Sequence, residues 1–265
     1  MTKSALCIGI NDYPGTQSDL RGCVNDANDW RQMLEARGFQ VRQLIDGQAT
    51  RERIVESIQR LVADAREGDV AVLTYSGHGT WIPDVNGDEP DHRDDCLCPH
   101  DVAQNRPLAD DELFELFAAS APGARIVFIA DACHAGSAAR FAPAPRVLGD
   151  VAPRVRFLPP ETFLPTEQRA IAARMARPNP GTQRRHGALL LTGCLDIEYS
   201  YDAAFGGRSN GAFTHVALKV IGTLRPGATY RDWFQAIRES LPSSAYPQTP
   251  NLLGSRTQKR WSLLS

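Results

Sequence analysis

The chain reads as an α/β protein, with a mostly parallel, twisted sheet of about six strands and helices on both faces. Three observations predict this. Short apolar runs alternate with stretches of helical period along most of the sequence. The runs are apolar on successive positions, as strands buried on both faces are, and they end in glycine or other small residues. The 265 residues, 42% hydrophobic and 23% charged, suffice for one large α/β unit or two small ones.

The elements follow in order. Residues 5–10 form a first apolar run. Residues 24–37 place Ala27, Trp30, Met33 and Leu34 on one helical face and stop at Gly38. A strand is expected over 41–45. Thr50 is placed to cap a helix running to Arg66, although Arg53 stands where a capping-box glutamate would be. Gly68 ends that helix and 70–75 is the third strand. Residues 110–119 read as a helix with an acidic first turn, favourable against its dipole. Strands over 125–130 and 188–192, then helices over 212–224 and 230–241, complete the pattern. Two stretches break it. Residues 81–95 are a polar, acidic loop. Residues 138–186 are rich in Ala, Pro and Arg without sustained period. They divide the chain into a larger front part (1–137) and a smaller rear part (187–265).

Composition excludes several function classes. Twenty-nine Lys and Arg face 31 Asp and Glu, a net charge of −2, which gives no bulk attraction for nucleic acid or an anionic membrane. No apolar run approaches the ~18 residues that span a bilayer. The first dozen residues run directly into a fold-like segment rather than a leader, so a cytoplasmic location is expected. The six cysteines show no pairing pattern and are expected to be free thiols. Cys7 and Cys194 lie in apolar runs as small core residues. The lone pair Cys96 and Cys98 lacks the second pair a zinc site needs.

Two segments carry the chemistry. Val70-Ala71-Val72-Leu73-Thr74-Tyr75-Ser76-Gly77-His78-Gly79-Thr80 ends an apolar run in an imidazole. Arg125-Ile126-Val127-Phe128-Ile129-Ala130-Asp131-Ala132-Cys133-His134-Ala135-Gly136 ends another in a thiol. As neighbouring parallel strands they would bring both groups to the carboxyl edge of the sheet, where open α/β sheets bind ligands. A thiol with a base in reach is the minimum equipment for cysteine nucleophilic catalysis. Cys133 is the expected nucleophile and His78 the base. Gly77 and Gly79 are read as letting the backbone bend and leaving the ring open to substrate. His134 is a rival base, ranked lower because adjacent side chains tend to diverge. Backbone N–H groups near Gly79 and Cys133 would hold an oxyanion.

Tyr-Ser-Gly-His-Gly and Asp-Ala-Cys-His-Ala-Gly resemble the histidine and cysteine motifs of the caspase-like cysteine peptidases, most closely metacaspases and their bacterial relatives, the orthocaspases. Gly22-Cys23-Val24-Asn25-Asp26 and Gly193-Cys194-Leu195-Asp196 through Ser200 resemble two further metacaspase segments. The resemblance implies a caspase-like fold and an endopeptidase acting on proteins or peptides after Arg, and also Lys. It carries the acidic substrate pocket to Cys23, Asp26, Ser76 and Asp131. Two carboxylates there match a guanidinium and repel an aspartate. It also suggests calcium, carried onto Asp94, Asp110 and Asp111, with Arg140 standing where a fourth aspartate is expected. Asp84-Val85-Asn86-Gly87-Asp88 has only a partial calcium-loop pattern. The insert holds nine arginines from Arg140 to Arg185 against Asp150, Glu161 and Glu167, so an arginine-directed protease would be able to cut itself between its halves. Bacterial relatives serve in regulated cell death or defence, which implies a small-molecule or protein activator. The alternatives are a ligand-sensing pseudo-enzyme, or a gingipain- or separase-like peptidase.

Overall fold

The computed structural model describes residues 1–84, 93–133, 152–172 and 187–265. The central sheet has six strands in the order β12-β9-β7-β3-β1-β2. They are β1 (Lys3–Gly9), β2 (Gln40–Ile45), β3 (Val70–Ser76), β7 (Arg125–Asp131), β9 (Leu189–Thr192) and β12 (Asn251–Leu253). All neighbours pair in parallel except the edge strand β12, which runs antiparallel to β9. Helices α1 (Cys23–Glu35), α2 (Arg51–Asp64), α3 (Asp110–Ala118), α5 (Ala212–Ile221) and α6 (Tyr230–Arg238) cover both faces, with short α4 (Thr166–Ala172) and α7 (Arg256–Lys259). Alternation along the strands feeds two cores. Leu73, Tyr75, Ile126 and Phe128 pack with Ile54, Ile58 and Phe117 on one face. Val72, Val127 and Ile129 pack with Trp30, Phe213 and Trp233 on the other. The α/β expectation and its strand count hold. No described helix is long and apolar enough to cross a membrane.

Three local readings differ. Thr50 makes no side-chain cap; Asp101 Oδ1 takes the N–H of Arg51 instead, at 2.8 Å. The acidic loop begins and ends in strands, β4 (Gly79–Pro83) and β5 (Arg93–Leu97), which join β6 (Leu108–Ala109) in a small antiparallel sheet. Among its described residues the insert contributes β8 (Arg154–Val155), a 3₁₀ turn at Pro160–Thr162 and α4. These pieces are too short to show a period, and tertiary pairing decides them. β8 joins β10 (Tyr201–Phe205) and β11 (Arg208–Gly211) in a third sheet. The calcium-like segment 84–88, apart from Asp84, and the residues His134 and Arg140 lie outside the described residues.

Candidate active site

Strand register builds the site. Ser76 of β3 pairs with Asp131 of β7, so His78 and Cys133 leave the sheet side by side, each two residues further on. Gly77 N–H donates to the Asp131 carbonyl at 3.4 Å. The His78 backbone is held at both ends. Its N–H donates to the Tyr13 hydroxyl at 2.8 Å, and its carbonyl accepts from Tyr75 Oη at 2.8 Å and the Cys98 N–H at 3.0 Å. Gly77 is required here for space, because a Cβ would sit 2.5 Å from the Tyr13 hydroxyl and 2.6 Å from that of Tyr75.

The imidazole is covered rather than open, at 2% exposure, which corrects the reading of the two glycines. Its ring lies against Tyr13, and Nε2 is 2.6 Å from the Ser18 carbonyl. A carbonyl only accepts, so Nε2 carries the hydrogen of the neutral ring and Nδ1 keeps its lone pair. That nitrogen is buried without a hydrogen-bond partner. Burial lowers the imidazole to about 4, against a smaller upward pull from the Ser18 carbonyl. A neutral imidazole with an unengaged lone pair is a base in waiting.

Cys133 is fully buried. The Cys133 thiol, ahead of burial, holds the neighbouring Cys194 well above the usual thiol range. Cys194 thus stays a neutral thiol whose hydrogen is directed at the Ala132 carbonyl, 3.4 Å away.

The pocket beside the pair contains a side chain of the same chain. Arg156, one of the nine insert arginines, is fully buried. Its Nη2 lies 2.6 Å from Asp26 Oδ2, and its Nη1 lies 3.2 Å from Asp131 Oδ2 and 3.0 Å from the Asp131 carbonyl. Its carbonyl oxygen accepts two backbone N–H bonds, from Gly79 at 3.0 Å and Cys133 at 3.3 Å. Its own N–H donates to the Ser200 carbonyl at 2.9 Å.

The carboxylates are aimed by further donors. Asp26 sits in the first turn of α1; just ahead of the helix Arg21 and Gly22 N–H donate to Asp202 Oδ2 at 2.7 and 2.9 Å, and the first helical N–H, of Cys23, donates to Asn11 Oδ1 at 2.8 Å. Asp26 also accepts from Asn210 Nδ2 at 2.9 Å and the Gly211 N–H at 3.0 Å. Asp131 accepts from the Thr214 N–H at 2.9 Å, Thr214 Oγ1 at 2.7 Å and the Ser200 hydroxyl. Burial raises Asp26 above the usual carboxylate range, with Arg156 the main opposing influence. Gly211 makes room for the pairing: a Cβ there would lie 2.1 Å from Asp131 Oδ2 and 2.6 Å from Arg156 Nη1.

Of the expected pocket residues, Asp26 and Asp131 meet the guanidinium directly. Cys23 is buried close enough for Arg156 to influence its thiol, which burial holds well above the ordinary range. Ser76 is buried with its hydroxyl unpaired. Among the described residues no group of three His, Cys, Asp or Glu side chains is arranged to hold a metal ion. Asp95, Asp110 and Asp196 line one hollow, and Asp110 Oδ1 accepts the N–H of Asp111 at 3.0 Å.

A caspase domain match spans residues 2–261. The chain belongs to the caspase-domain family. It is 30% identical to metacaspase-1 of Mycosarcoma maydis over 96% of its own length and 70% of that protein. It is 40% identical to metacaspase-4 of Arabidopsis thaliana over 51% of its length, which is 34% of that longer chain. A crystal structure of a Geobacter sulfurreducens protein superposes with a TM-score of 0.75 at 28% identity, covering 99% of this chain and 98% of the other. Caspase-1 of Spodoptera frugiperda shares the fold at a TM-score of 0.57 and 12% identity, over 96% and 86% of the two chains. The chain is therefore a cysteine-type peptidase of the metacaspase and caspase family.

The sequence reading missed which arginine the pocket would hold, since nine were equivalent by composition. It also missed Tyr13, Ser18, Tyr75, Ser200, Gly211 and Thr214. Tyr75 and Ser200 stood within quoted segments, and for Tyr75 the place at the same sheet edge as His78 was the available signal. Gly211 and Thr214 open α5, and nothing local in the sequence ties them to Asp131.

Proposed function

We propose that this metacaspase relative is an endopeptidase that cuts after arginine, with Cys133 as nucleophile and His78 as base. One observation carries the reading: an arginine lies with its guanidinium on Asp26 and Asp131 while its carbonyl oxygen accepts from Gly79 and Cys133. Donors converging on a carbonyl beside a thiol are what a tetrahedral oxyanion requires. Two carboxylates matched to the two Nη groups favour the forked guanidinium over the point charge of lysine. An aspartate there would bring a third buried carboxylate.

In the proposed sequence His78 Nδ1 takes the Cys133 proton as sulfur attacks the carbonyl carbon. The imidazolium then protonates the leaving amine. Water, deprotonated by the same ring, hydrolyses the thioester and the thiol is restored. The intact thiol and imidazole favour this reading over a pseudo-enzyme. The test is a fluorogenic panel with Arg, Lys, norleucine or Asp at the cleaved position, run with calcium and with chelator. Arg should be cut best, Lys more slowly and Asp not at all, and Cys133→Ala should be inactive. Preference for Asp, or equal activity in Cys133→Ala, would overturn the proposal.

A further inference from the structure

We infer that Gln248, in the loop between α6 and β12, is the positioning residue of the cleft. It fixes the Ser200–Tyr201 peptide plane, which receives the main chain of the residue being cut, and it aims the hydroxyl that serves Asp131. The inference rests on the peptidase reading above and adds a residue that sets both turnover and arginine selectivity.

One peptide plane carries the argument. The Arg156 N–H donates to the Ser200 carbonyl at 2.9 Å, the bond that would hold the residue being cut. A trans peptide sends its carbonyl and the following N–H in opposite directions. The Tyr201 N–H therefore points to the rear of the cleft wall, where it donates to Gln248 Oε1 at 3.2 Å. The carbonyl that reads the substrate in front is thus oriented by Gln248 from behind.

The other half of the amide serves the pocket. Nε2 donates to the Gly193 carbonyl at 2.8 Å and to Ser200 Oγ at 3.3 Å. The Ser200 hydroxyl has one hydrogen and gives it to Asp131 Oδ1, so it accepts from Gln248. The relay runs one way, from Gln248 through Ser200 to Asp131. Gly193 opens the loop leaving β9 and Ser200–Tyr201 closes it, so one side chain ties both ends. Gln248, Gly193, Ser200 and Tyr201 are all buried, and water does not replace a lost bond there.

The support of Gln248 holds without the amide. The Gln248 and Ser243 N–H groups donate to the Tyr246 carbonyl at 2.9 and 3.0 Å. The Tyr246 ring packs on Tyr201 and Phe205, with centroids 6.3 and 5.4 Å apart. Next to Gln248, Thr249 Oγ1 donates to Glu198 Oε1 at 2.8 Å, and β12 follows on β9 with Leu252 opposite Leu191. Removing the amide therefore frees the Ser200–Tyr201 plane while the loop stays seated. A shift of about 1 Å at a reacting carbonyl costs roughly 10²-fold in rate.

The test pairs a change in the enzyme with a change in the substrate. Gln248→Met keeps the volume and removes the amide. A depsipeptide reporter replaces the nitrogen of the cleaved arginine residue by an ester oxygen, removing the N–H aimed at Ser200. Both are read as kcat/KM on the full chain, in wild type and in Arg156→Ala, where the internal arginine no longer competes. The ester swap should cost the parent enzymes roughly ten- to a hundredfold. It should cost Gln248→Met less than threefold, because the carbonyl is already misaimed. Gln248→Met should also lower kcat on the amide reporter at least tenfold, and cut the arginine-to-norleucine ratio about fivefold through the lost relay. A general loss of structure lowers every reporter together and leaves the cost of the ester swap unchanged. Gln248→Met leaves buried groups unpaired and is prone to misfold, so Gln248→Glu is a second variant. Its carboxylate still accepts from Tyr201 but offers no donor to Gly193 or Ser200. It should keep most of the ester cost and lose the preference for arginine over norleucine. A swap that costs folded Gln248→Met as much as its parent overturns the inference. So does a swap that costs the parents less than threefold, a result that needs no variant, or an unchanged arginine-to-norleucine ratio in both folded variants. Each of these leaves the peptidase reading standing. A folded wild type and Arg156→Ala that both leave every arginine reporter uncut overturn the two together.

Discussion

Asp26→Asn gives the sharpest test of arginine recognition. Every partner of the Asp26 carboxylate is a donor: Arg156 Nη2, Asn210 Nδ2 and the Gly211 N–H, which reaches both oxygens at 3.0 and 3.1 Å. An asparagine keeps the shape, removes the charge and turns one acceptor into a donor facing donors. Losing a hydrogen bond to a charged group costs about 1.5–3 kcal/mol, and a buried polar group left unpaired about 1–3 kcal/mol more. The total agrees with the ~3–5 kcal/mol for breaking a buried ion pair from one side. Part of the effect falls on the fold and part on substrate. A loss of roughly 10²- to 10³-fold in kcat/KM for arginine peptides is expected.

The measurement belongs in the Arg156→Ala background, where the internal arginine no longer competes. Norleucine peptides, which present no charge to Asp26, should lose less than threefold. Thermal denaturation of the same samples separates misfolding from lost recognition. If arginine and norleucine peptides lose equally in folded protein, or arginine loses less than threefold, Asp26 does not read the guanidinium.

Further outcomes follow from the same geometry. Gly211→Ala places a methyl 2.6 Å from the guanidinium position and should cut arginine hydrolysis by roughly 10²-fold while affecting norleucine less, as judged from the two kcat/KM values. Tyr13→Phe leaves the buried His78 N–H without its acceptor and should cost about 1–3 kcal/mol in urea unfolding, with a fall in kcat. The His78 imidazole is lowered from 6.5 to about 4, so below 6.5 the unfolded chain binds a proton that the fold refuses. Its contribution is fully present above pH 6.5 and is lost as pH falls through about 4, worth about 3 kcal/mol at most. In Cys133→Ala, replacing His78 by Gln should flatten the fall in stability between pH 7 and 4.5, and an unchanged profile would refute the buried neutral ring.

How much was legible in the sequence depended on range. The strands that carry His78 and Cys133 were readable because seven-residue apolar runs ending in glycine or small residues have few other solutions. Asp26 and Asp131 were readable through motif resemblance, since a first-turn acid and a strand-end acid look ordinary by themselves. The insert was not readable. β8 has two residues, and its pairing with Tyr201 and Asp202 depends on a strand nearly fifty positions away. Composition pointed to nine arginines in that insert, whereas only the fold distinguishes Arg156. The reading of an open imidazole failed for the same reason, because the groups that cover the ring, Tyr13 and Ser18, lie far from His78 in the chain.

The internal arginine also answers a problem that the pocket creates. Two carboxylates buried beside each other without a cation repel, and desolvation opposes charging either one. The upward displacement of Asp26, even with Arg156 in place, shows which way that balance leans. A pocket able to read arginine is therefore costly to fold empty, and a guanidinium from the same chain offsets the cost while the sheet assembles. The Arg156 backbone is bound as firmly as its side chain, so the group that completes the fold also stands where a substrate must enter. On the proposed reading, the acid pair that would select an arginine substrate already holds the chain's own arginine.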